Sequence, residues 1–221
     1  MIFFNYLSYF FYLGFNWNWK IAFTIISQEI KGEKKYGIQT TGADELKNLK
    51  KTGVDISHAT IYMPVSYQLL EIIFNNLPVH NRHHFLDIGC GKGRAICVAA
   101  HNGFKKITGI DFSEKFCEAA TKNFALTQSK TKYTTCIIVH KNILDYAIPN
   151  DVSCIFLFNP FDDEVMKVVV ENITISLQQQ PRKLYIVYVN PLYKYFFTHA
   201  GFAEIFYSKQ KKYFEVSVLV N

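Results

Sequence analysis

The first 27 residues, MIFFNYLSYFFYLGFNWNWKIAFTIIS, are apolar and aromatic. Asn5, Asn16, Asn18 and Lys20 interrupt them, so no unbroken run of about 20 apolar residues forms. The stretch has no basic leader and no small-residue cleavage site, which speaks against a signal peptide. It predicts an aromatic helix packed on the body of the protein or on a second copy. Its Tyr and Trp content also suits a membrane surface. EIKGEKKYGIQTTG follows, polar, basic and punctuated by glycine, and predicts a loop or short extended piece. ADELKNLKK has acids first and lysines last, a short helix matched to its dipole. VSYQLLEIIFNNL places apolar residues at helical spacing.

From His84 onward short apolar runs alternate with helical ones. FLDIG, KITGID, TTCIIVHKN, VSCIFLFNP and KLYIVYVNP predict strands. RAICVAAHNG, SEKFCEAATKNFAL, DDEVMKVVVENITISL and LYKYFFTHAG predict helices, the second opening on Ser113 as N-cap. FAEIFYS and YFEVSVLVN, joined through KQKK, predict a hairpin. Such alternation gives an α/β fold, a mostly parallel sheet with helices on both faces. The hairpin adds an antiparallel strand at one side. The chain divides into a helical N-terminal extension, residues 1–60, and a main domain, residues 61–221.

Composition narrows this little further. Of 221 residues, 49% are hydrophobic and 19% charged, which excludes a disordered chain. A net charge of +6 is compatible with an acidic partner, but a solvated basic surface explains it as well, and nucleic acid is not favoured. The five cysteines form no C-x-x-C pair and fall mostly in apolar runs. They predict small core residues in a reducing compartment rather than a zinc site. The expected location is cytoplasmic, with peripheral membrane contact through residues 1–27 left open. His83 and His84 precede an apolar run as strand-edge residues rather than ligands.

The candidate chemistry sits where FLDIG ends. FLDIGCGKGRA has the pattern D-x-G-x-G-x-G, and its glycines let backbone N–H groups approach a ligand. A dinucleotide fingerprint would need glycine where Arg94 stands. Asp111 closes the next strand about 20 residues on, where an acid can accept from both hydroxyls of a ribose. FLDIGCGKGRA followed by ITGIDFS resembles the S-adenosylmethionine site of class I methyltransferases. The likeness covers roughly residues 62–221 and implies a Rossmann-like seven-stranded sheet whose last strand is antiparallel. It implies that the backbone through Asp87, Ile88, Gly89, Cys90 and Gly91 wraps the methionine part of S-adenosylmethionine, with S-adenosylhomocysteine as product. Gly93 and Arg94 complete the same turn, although Arg94 also reads as a helix-surface residue. The likeness puts Asp111 on the ribose, Phe112 against the adenine, and Asn142 and Ile143 at the adenine edge. Asp145 is close enough to replace Asn142 there.

LFNPF resembles the Asn/Asp-Pro-Pro-aromatic motif of many N-methyltransferases but lacks the second proline. The resemblance implies that Asn159 and the carbonyl of Pro160 accept from a substrate nitrogen and that Phe161 packs against the substrate. YVNPL repeats the device at Asn190-Pro191, so one of the two is expected to be only a turn. Tyr62, in ATIYMPVSY, resembles a pocket tyrosine of protein-lysine and DOT1-like methyltransferases, where Lys92 departs from the acid usual in the glycine loop. The expected activity is methyl transfer to an amine of a protein or small molecule. Alternatives are a non-catalytic binding module, an NAD-dependent oxidoreductase and an aminopropyl transferase.

Overall fold

The computed structural model describes residues 2–16, 18–42, 64–78, 80, 82–131, 133–158, 161–209 and 215–221. Tyr62, Asn159, Pro160 and the expected helix ADELKNLKK lie outside them.

Two helices open the described chain, α1 (Ile2–Asn16) and α2 (Trp19–Tyr36). Where the sequence suggested one helix there is a break, because the Asn18 side chain accepts from Lys20 N at 2.8 Å and starts α2 as its N-cap. α2 also overruns the expected loop. It continues through Gly32 to Tyr36 and stops on Gly37 at φ 74°. Gly32 is tolerated inside the helix because it lies against the Tyr67 ring, where a Cβ would come within 2.1 Å of a ring carbon. Helix α3 (Tyr67–Asn76) follows, capped by Ser66.

The rest alternates as expected. The elements are β1 (His84–Ile88), α4 (Arg94–His101), β2 (Lys106–Asp111), α5 (Glu114–Gln128), β3 (Thr135–His140), β4 (Cys154–Phe158), α6 (Asp163–Gln179), β5 (Tyr185–Val189), α7 (Lys194–His199), β6 (Ala203–Lys209) and β7 (Glu215–Val220). They form one seven-stranded sheet in the order β3-β2-β1-β4-β5-β7-β6. Strands β1 to β5 are parallel, and β7 runs antiparallel between β5 and β6. β1 and β5 are buried along their whole length, which is why HFLDI and YIVYV are almost continuously apolar. β3 and β6 are the edges and are largely exposed.

One face of the sheet packs Phe85 and Phe156 against Leu70, Phe74, Ile96 and Phe124 of α3, α4 and α5. The other packs Leu86, Ile155 and Tyr188 against Met166, Val169 and Phe197 of α6 and α7. Tyr36 and Ile38, at the end of the N-terminal helices, belong to the first of these cores. Four of the five cysteines are buried, in keeping with the core role expected of them. The order reverses at β1, whose neighbours are β2 and β4. That switch point opens a crevice at the carboxyl ends of the strands, the usual ligand site of such sheets.

Candidate active site

The turn from β1 into α4 occupies that switch point. Gly89, Gly91 and Gly93 all have positive φ, at 76°, 51° and 80°, so the D-x-G-x-G-x-G spacing reflects three left-handed backbone positions. Gly89 N and Cys90 N donate to the Ile110 carbonyl at 2.9 and 3.0 Å, tying the turn to the end of β2. Asp111 closes the connection. Its Oδ2 accepts from Gly91 N at 2.8 Å and its Oδ1 from Ser113 N at 2.9 Å. Ser113 is the N-cap of α5, as expected, although its side chain makes no capping hydrogen bond and its carbonyl accepts from Phe116 N and Cys117 N.

Asp87 and Asp111 are both buried and interact electrostatically. Burial, followed by the neighbouring Asp111 charge, holds the Asp87 carboxyl well above the usual carboxylate range. Burial also raises Asp111, and the backbone N–H groups of Ser113 and Gly91 pull it back to about 6. Among the described residues neither acid is ion-paired to a lysine or arginine. Asp111 is therefore the acid able to carry a carboxylate toward the crevice near neutral pH, while burial favours the protonated form of Asp87. Burial drives the Cys90 thiol well up, so it stays protonated and belongs to the core.

The remaining expected residues divide. Phe112 is half-buried beside the Asp111 turn. Asn142 is exposed and caps a short 3-10 turn, Ile143–Asp145, its Oδ1 accepting from Leu144 N at 3.0 Å. Ile88 and Ile143 point into the core on the α6 side. Phe161 also lies in that core at 8% exposure, so its ring packs on the protein, where a substrate contact was expected. Asn190 has φ 52° and donates its N–H to the Glu215 carbonyl at 2.8 Å. It is a turn residue, since asparagine tolerates the left-handed region. β4 ends beside β1, with Leu157 in register with Ile88, so Phe158 brings the chain to the crevice just before Asn159.

Arg94 departs furthest from expectation. It is neither on the helix surface nor turned to a ligand, but 3% exposed and held by the N-terminal segment. Its guanidinium pairs with both carboxylate oxygens of Glu29, Nη1 to Oε1 at 2.8 Å, and donates at 2.8 Å to Thr40 Oγ1 and to the Val65 carbonyl. It also stacks 4.1 Å from the Tyr67 ring centroid. Glu33 accepts from Thr40 N, Thr41 N and Thr41 Oγ1 at 2.5 to 2.8 Å, and from Tyr6 Oη. On the other flank Asn123 of α5 bonds both backbone groups of Gln39 and donates to the Lys92 carbonyl at 2.9 Å. Residues 38–42 are thereby fastened along the glycine turn. Sequence reasoning missed Glu29, Thr40 and Asn123. A buried asparagine inside a helix was the one available signal.

Comparison with known proteins agrees with this geometry. Residues 85–180 match a family model described as a methyltransferase domain. No curated protein matches the chain in sequence. Among solved structures, a ribosomal protein L11 methylase from Lactobacillus delbrueckii subsp. bulgaricus is 14% identical over 70% of this chain and 77% of its own, with a TM-score of 0.52. The putative methyltransferase yhhF from Escherichia coli is 16% identical over 72% and 89%, with a TM-score of 0.51. Magnesium protoporphyrin IX methyltransferase from Synechocystis PCC 6803, solved with bound SAM, is 14% identical over 69% and 77%, with a TM-score of 0.50. At such identities the structural likeness speaks for the fold. Residues 85–180 thus match a methyltransferase domain, and the chain shares its fold with these solved methyltransferases.

Proposed function

We propose that the protein transfers the methyl group of S-adenosylmethionine to an amine nitrogen, of a protein or a small molecule, in the crevice above β1 and β4. The observation that carries this is the glycine turn pinned to Asp111, beside β4, whose last residue Phe158 directly precedes Asn159-Pro160 in sequence. The residues fit the cofactor. Backbone closeness at three left-handed glycines suits the methionine part, Asp111 suits the ribose, and half-exposed Phe112 suits the adenine. The Asp111 carboxylate favours a cationic ligand.

The cofactor supplies an electrophilic methyl on a sulfonium. The chain's own part is to aim the acceptor and exclude water. In this reading the Asn159 amide oxygen and the Pro160 carbonyl accept from the acceptor nitrogen and direct its lone pair along the line of displacement. An acceptor arriving as ammonium first loses a proton, to a base or along a water path.

The test is release of S-adenosylhomocysteine over a panel of amine and carboxylate acceptors. Asn159→Ala should lower turnover about 10-fold, the loss of the one well-aimed hydrogen bond its amide oxygen makes, while binding of S-adenosylhomocysteine persists. Turnover on carboxylates alone would replace the amine reading with O-methylation. Binding without turnover on any acceptor would make the chain a non-catalytic module.

A further inference from the structure

Among the described residues, one face of the α1–α2 hairpin is exposed. Leu7, Phe11 and Phe15 recur every fourth residue along α1, opposite the buried Tyr9 and Leu13. The Trp19 ring lies 5.2 Å from that of Phe15 and 6.1 Å from that of Phe11, so the stripe passes into α2 and runs on through Phe23 and Ile30. Phe15 is 78% exposed and Phe23 70%. An isolated exposed apolar side chain needs no explanation, but a continuous stripe across two helices does.

The charges around the stripe are sorted by sign. α1 has no charged residue. In α2 both acids, Glu29 and Glu33, are buried toward the glycine turn, while Lys20, Lys31, Lys34 and Lys35 are exposed. Lys35 is shared with Glu71 of α3. At 3.6 residues per turn, Lys20, Lys31 and Lys34 fall alongside the line of Trp19, Phe23 and Ile30, away from Ala22, Glu29 and Glu33. The outer face is therefore aromatic and basic, with its acids turned inward.

We infer that this face binds the surface of a bilayer containing anionic lipid, beyond any role in methyl transfer. The rings enter the boundary between headgroups and acyl chains, and the lysines meet lipid phosphates. A second copy of the chain fits less well, because self-pairing through this face would set lysines against lysines in a chain of net charge +6. The helices lie on the membrane. None among the described residues is long and apolar enough to cross it, and the 15 residues of α1 reach about 22 Å against a hydrocarbon core of about 30 Å. Since α2 also grips Arg94 through Glu29, docking fixes the orientation of the glycine turn toward the bilayer.

Cosedimentation of the full chain with vesicles tests this. Phosphatidylcholine vesicles with about one third phosphatidylserine should pellet the protein at low salt, and pure phosphatidylcholine should pellet far less. Phe15→Ser/Phe23→Ser and, separately, Lys20→Glu/Lys34→Glu should each lower the bound fraction about ten-fold. All four positions are exposed, so both variants should keep the parent melting temperature, which is measured alongside. The inference is overturned if the parent stays in the supernatant with anionic vesicles, or if both variants pellet as the parent does. It is overturned in favour of a second copy if sedimentation velocity finds a dimer that Phe15→Ser/Phe23→Ser dissociates while vesicles bind nothing.

Discussion

Two buried clusters of charge flank the glycine turn, and they are built on opposite principles. On the side of the N-terminal helices, Glu29 meets Arg94 in a two-point ion pair, and threonine hydroxyls and backbone N–H groups complete the carboxylates. That cluster answers its own charge. At the strand ends Asp87 and Asp111 sit together; backbone N–H groups and the nearby His140 favour the Asp111 carboxylate, and among the described residues no lysine or arginine pairs with either acid. Burying charge without a partner is costly. A fold that does so at a switch point has left a place for something outside the chain. The first cluster closes on itself, and the second is the one we propose to face a ligand, although both lie within a few residues of Gly91 and Gly93.

The largest expected effect comes from breaking the self-sufficient cluster. Glu29→Ala leaves the Arg94 guanidinium buried without its carboxylate and should cost about 3–5 kcal/mol of stability, read from the urea midpoint. Glu29→Leu with Arg94→Met, matched in volume, should recover most of that loss. If Glu29→Ala costs less than about 1 kcal/mol, the cluster is not the clamp described here.

Acidity sharpens the comparison at the other cluster. Asp111 is raised to about 6, so the folded protein holds its proton more tightly than the unfolded chain. Stability of the free protein should therefore rise as pH falls from about 6 toward the ordinary Asp range near 4, by this group's contribution. Affinity for S-adenosylhomocysteine should move the other way over the same window, because the protonated acid is a poorer acceptor for ribose hydroxyls. Asp111→Asn should flatten both trends. Parallel trends in the parent would show that Asp111 does not face the ligand.

The smallest effect belongs to the repeated Asn-Pro device. Asn190 occupies a left-handed turn, so Asn190→Gly should change stability by only a few tenths of a kcal/mol, and Asn190→Ala should cost about 1 kcal/mol. Both should leave turnover unchanged, in contrast to Asn159→Ala. A large loss of turnover at position 190 would reverse the assignment of the two motifs.

What was legible in the sequence follows the range of the forces involved. Strand and helix succession from His84 onward is local, carried by apolar period and glycine punctuation, and the structure follows it closely. The glycine turn and its acid were legible because three left-handed positions and one acceptor need particular residue types at fixed spacing. Arg94 was not, since its partner Glu29 lies 65 residues earlier and nothing local marks an arginine as buried. α2 overran its expected end for the same reason. Gly32 reads as a loop signal until Tyr67 is seen packed against it. Phe161 reads as a pocket aromatic from the motif, yet the apolar face of α6 claims it for the core.

The central claim is that the uncompensated acids belong to an S-adenosylmethionine site. Calorimetric titration of the purified chain with S-adenosylhomocysteine, beside NAD and repeated on Asp111→Ala, tests it most directly. The expected result is micromolar binding of S-adenosylhomocysteine alone, weakened about 100-fold in the variant by loss of two charge-assisted hydrogen bonds. No binding, or binding of NAD in its place, would contradict the account.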